Sequence, residues 1–75
     1  MRSLLYKALE SYLQGNIDKH VANVKIHANA AVGVAEHSDH IETIEKELEI
    51  IANYEDKLNV LKKYFGENEK EVLNG

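Results

Sequence analysis

Histidine is the one residue type in this chain whose placement could support chemistry near neutral pH. Four are present among 75 residues. His20 and His27 stand seven apart and would share one face of a helix, whereas His37 and His40 stand three apart beside Glu36 and Asp39. Imidazole and carboxylate ligands suit zinc or another divalent transition metal, and a chain folded back between the two pairs would bring His27 toward His37 or His40. His27, His37 and His40 are therefore the candidate metal ligands. No second pair one helical turn apart and no Glu-x-x-His motif accompanies them. The expectation is that they cap, pair with acids or face water, and no cofactor is assigned. A pH-responsive junction is the sharper alternative.

Other chemistries fare worse. Ser38, His37, His40 and Asp39 include the residue types of a hydrolytic triad. Neighbouring side chains at a helix start diverge, however, and a small hairpin offers no concave pocket with an oxyanion hole. GVAEH lacks the repeated glycines and following lysine of a phosphate loop. The net charge of −4, with its few basic residues dispersed, disfavours nucleic-acid binding. Thiol catalysis and disulfides are excluded because cysteine is absent. No stretch approaches the ~18 apolar residues of a membrane span, and no signal-peptide pattern follows Arg2. The expectation is a soluble, non-enzymatic protein with no catalytic residues and no membrane or nucleic-acid partner.

The elements that would position these residues are helices. Proline is absent and glycine occurs four times, which leaves long segments uninterrupted. A first helix is expected over about 3–28, with Ser3 as its cap and Leu5, Leu9, Leu13, Ile17, Val21, Val24 and Ala28 on its apolar face. The small-residue stretch HANAAVGVAEHSD breaks it. A second helix is expected over about 39–65, where Asp39 and Glu42 have capping-box spacing and Ser38 is an alternative cap. Its apolar face would be Ile41, Ile44, Leu48, Ile51, Leu58 and Phe65. Gly66 would close it in the left-handed conformation, leaving 67–75 as a charged tail.

The fold expected is all-α: residues 1–66 form an antiparallel helical hairpin. Residues 1–35 carry four basic groups against two acids (+2), and residues 36–75 carry five against eleven (−6), so the two arms attract. Apolar residues remain beyond one seam. Ile50, Tyr54, Leu61 and Tyr64 form a second stripe on the second helix. Leu5, Tyr12 and Ile26 form one on the first, interleaved with Ala8, Gly15 and Ala22 at seven-residue spacing. Small residues at that spacing permit close helix approach, although chance in a helix-rich chain would also produce them. A chain this short buries only a modest core. The second stripes are therefore expected to pair two hairpins into a homodimeric four-helix bundle.

The segments GNIDKHVANVKI, AVGVAEHSDHIETIEKELE and EDKLNVLKKYF resemble a family of small helical proteins encoded by tailed phages infecting marine cyanobacteria. The resemblance extends to Phe65. It departs at Ala31, where many relatives are expected to have proline, so the loop here would be less rigid. It implies a phage origin and a place in the host cytoplasm or the virion, and brings no activity. The function expected is that of a small structural or assembly protein acting on its own copies or on a larger phage or host protein. The alternative is a regulatory protein-binding module whose histidine junction responds to metal or pH.

Overall fold

Two helices carry the chain, as the absence of proline from either segment permits. The structure, a computed structural model, describes residues 3–33 and 38–66. Helix α1 spans Leu4–Ala31 and α2 spans Ser38–Phe65, packed antiparallel in a hairpin about 42 Å long. Helix α1 runs three residues past the expected end, because Asn29, Ala30 and Ala31 contain no breaker. Val32 closes it, donating its N–H to the Asn29 carbonyl at 3.3 Å.

The ends depart from expectation in three details. Ser3 occupies the position before α1 in an extended conformation and its carbonyl accepts from the Lys7 N–H, yet its side chain makes no capping bond. Helix α2 begins one residue early, so Asp39 lies inside its first turn, where its charge still complements the helix dipole. Gly66 is not left-handed. It is buried, and donates its N–H to the Lys62 carbonyl at 3.1 Å. A Cβ there would lie 2.6 Å from that carbonyl oxygen and 3.0 Å from the Tyr6 hydroxyl. Crowding, rather than backbone handedness, calls for glycine. Gly66→Ala is expected to cost ~1–3 kcal/mol through overpacking, read as a lower thermal midpoint. An unchanged midpoint would show that Tyr6 and the last turn yield freely. The expected tail, 67–75, lies outside the described residues.

The seam follows alternating steps of four and three. On α1 it runs through Tyr6, Glu10, Leu13, Ile17, His20, Val24, His27 and Ala31, all buried or half-buried. On α2 it runs through His40, Ile44, Glu47, Ile51, Tyr54, Leu58, Leu61 and Phe65, of which only the terminal Phe65 is exposed. That spacing keeps one stripe facing a neighbouring helix over many turns. The expected α2 face is therefore rotated from the real one. Ile41 and Leu48 are 61% and 53% exposed, whereas Leu61, assigned to an outer stripe, is buried in the seam. On α1, the row Leu5, Leu9, Leu13, Ile17 advances by fours and drifts round the helix by about 40° per step. Its first two members are exposed, and Tyr6 takes the inner place.

Candidate interaction surface

Chemistry-bearing residues occupy the half of the seam nearer the loop. His20 Nδ1 meets Glu47 Oε1 at 2.5 Å, and Asn23 donates to the same oxygen at 3.3 Å. Both His20 and Glu47 are largely covered. Tyr54 stacks on His20 at 6.2 Å between ring centroids, Tyr12 meets Tyr54 edge-on at 6.4 Å, and the Lys57 ammonium lies 5.1 Å from the Tyr54 ring centre. The hydrogen bond from His20 holds the Glu47 carboxyl below its ordinary value of 4.5, against the opposing effect of partial desolvation. A carboxylate depressed in the folded state stabilises the fold above its unfolded pKa, and that contribution is lost as pH falls through the lower folded value. The hairpin's thermal midpoint is therefore expected to drop on acidification below about pH 4.5. Glu47→Gln should flatten that drop, and an equally steep one in the variant would deny Glu47 the role.

The metal candidates are only partly assembled. His27 and His40 face one another across the seam with ring centroids 5.8 Å apart, both half-buried. His37 lies outside the described residues, as does its share of the triad considered above. Among the described residues no group of three His, Cys, Asp or Glu side chains could hold a metal. Two imidazoles fall short of the three protein ligands that even an open zinc site employs.

The larger feature is an apolar flank. With seam positions written a and d, the positions bordering d are g and then c, and in an antiparallel pair the g positions of the two helices adjoin. On α1 these positions hold Leu5, Leu9, Tyr12 and Ile26, exposed by 61%, 37%, 60% and 63%; on α2 they hold the exposed Val60 and Tyr64. Between the helices at the open end of the hairpin lies a groove of about 360 Å³, lined by Leu9, Leu13, Val60, Leu61 and Phe65, with Lys57 and Asp56 at its rim. Among all described c and g positions the only acid is Asp39, against Lys19, Lys46 and Lys57. The opposite flank is polar at the same end: Glu10, Gln14, Asp18 and Lys62 line a shallow depression there, and Gln14 donates to Asp18 at 3.0 Å.

Most of the expected interaction residues fall on or beside this flank. Leu5, Tyr12, Ile26 and Tyr64 are exposed on it. Ile50 and Tyr54 are half-buried at its base. Ala8, Gly15 and Ala22 are exposed along its outer edge on α1, and a Cβ on Gly15 would meet nothing within 4 Å. Leu61 and Tyr54 are seam positions, Leu61 buried and Tyr54 half-buried against the core. Leu9, Val60 and Phe65 were not among the expected residues; counting heptads from Tyr6 and Leu61 would have revealed them. No described helix is long and apolar enough to cross a membrane. Comparison with protein-family profiles, curated proteins and solved structures finds no match to this chain.

Proposed function

We propose that this chain is a small non-enzymatic structural or assembly protein of a tailed phage, acting through helix–helix contacts, with two hairpins closing into a four-helix bundle. The observation that carries the reading is the imbalance between core and surface. The buried core among the described residues is Tyr6, Leu13, Ile17, Leu58 and Leu61, and none of them is less than 4% exposed. Six large hydrophobics, Leu5, Leu9, Tyr12, Ile26, Val60 and Tyr64, stand exposed at the c and g positions of one flank. All but Ile26 gather toward the open end, around the groove lined by Leu9 and Val60, and exposed apolar surface of this kind marks sites of protein association. The sequence resemblance supplies the phage context.

The test is a photoreactive residue in place of Tyr12 in cells producing the protein. It should crosslink to polypeptide, whether to another copy or to a larger partner. Absence of any polypeptide adduct would contradict the reading. A regulatory module responsive to metal or pH is the second reading, favoured by the facing pair His27 and His40. Submicromolar zinc binding that raises the thermal midpoint and disappears in His40→Ala would move it ahead.

A further inference from the structure

Where the two helices approach the connecting segment, the seam holds an imidazole from each in place of an apolar side chain. His27 lies one turn before the end of α1, and His40 lies in the first turn of α2. Both occupy seam positions, so the antiparallel register sets them opposite one another. Their ring centroids are 5.8 Å apart, the rings are tilted by 53°, and both residues are half-buried. Among the described residues neither ring has a hydrogen-bond or ion-pair partner, in contrast to His20, which Glu47 holds. Their nitrogens are therefore open to an added ligand. Glu47 brings negative charge toward His27 from the facing helix. The dipoles of the two helix ends act in opposite senses on a cation placed between them, and largely offset one another.

Resting on the metal-responsive reading above, we infer that His27 and His40 form a two-imidazole clamp across the seam for a copper(II) ion. A metal about 2.1 Å from one nitrogen of each ring sets the ring centres roughly 4.5–6.5 Å apart as the angle at the ion opens from a right angle to a straight line. The observed 5.8 Å lies inside that range, and half-exposed rings reach either limit by small rotations. Zinc is the poorer fit, because even its open sites use three protein ligands. Copper(II) binds a given nitrogen site most tightly among the divalent first-row ions and takes a tetragonal arrangement, in which water fills the positions that the two rings leave. No cysteine competes for the ion. Without partners orienting the far ring nitrogens, the affinity belongs in the micromolar range. Bound there, the ion ties the last turns of α1 to the first turn of α2 and stabilises the hairpin, since the unfolded chain does not hold the rings together.

Copper(II) and zinc(II) salts are titrated separately into the metal-free full chain, with binding followed by calorimetry, the thermal midpoint by circular dichroism and the mass by light scattering. The expected result is one copper per chain at micromolar affinity, a raised midpoint, an unchanged mass and weaker zinc binding. His27→Ala and His40→Ala should each weaken copper binding at least about tenfold, since one imidazole of two remains. Histidine ring resonances of the unsubstituted chain supply a readout that does not depend on a variant's folding. Substoichiometric copper should broaden those of His27 and His40 before those of His20 and His37. Earlier broadening of His20 or His37, or copper binding unchanged in both variants, overturns the clamp. One ion per two chains with a doubled mass also overturns it, giving the ion to a contact between copies. Zinc bound more tightly than copper and lost in the same variants overturns copper as the ion and leaves the metal-responsive reading standing. Binding of neither ion overturns both.

Discussion

Leu58→Ala is expected to destabilise the hairpin by ~2–5 kcal/mol, a large part of the ~5–15 kcal/mol by which folded domains are stable. Leu58 is the most covered side chain in the seam, 4% exposed, and packs with Tyr6, Leu13, Ile17 and Leu61 in the hydrophobic cluster of the described residues. With so few buried neighbours, truncation leaves a cavity that little can refill. Leu48→Ala provides the contrast. Leu48 looks equivalent in the sequence but is 53% exposed, so its truncation should cost about 1 kcal/mol or less. Thermal and denaturant unfolding of the two variants measure the difference. Equal losses, or a larger loss at Leu48, would mean that the helices meet on the other face of α2.

The second large effect concerns association. Val60 lines the open-end groove while remaining 44% exposed in the hairpin. Val60→Glu should therefore leave helicity intact while placing a carboxylate, with Lys57 one turn away, in the proposed contact between copies. Burying a charge costs several kcal/mol, which corresponds to a rise in dimer dissociation constant of more than about a hundredfold. Ala52→Glu, on the opposite side of α2, is the control and should change association little. Sedimentation of the two variants decides, and an unaffected dimer in Val60→Glu would remove the flank from the interface.

Much of the architecture was legible in the sequence because it depends on long-range pattern and on breakers. Helical periodicity on either side of the loop stretch gives two helices, and the α2 boundary differs from expectation by one residue because Ser38 joins the first turn. The facing side was less legible. Glu10, His20, His27, His40 and Glu47 all sit at seam positions, so a row chosen for apolarity slides off the true seam onto Ile41 and Leu48. The most covered of these pair: Glu47 accepts from Asn23 and contacts His20. The histidines could be singled out by type, whereas the His27–His40 juxtaposition depends on the hairpin register. Gly66 was recognisable as a terminator, but its reason, the close approach of Tyr6 from the other helix, is tertiary.

We propose that one hairpin leaves apolar surface open and that a second copy covers it. Light scattering of the purified protein at micromolar concentration tests it most directly. The expected result is twice the chain mass of 8.5 kDa, with a thermal midpoint that rises with protein concentration as dimer linkage requires. A mass equal to one chain, together with a sharp, concentration-independent unfolding transition, would contradict it.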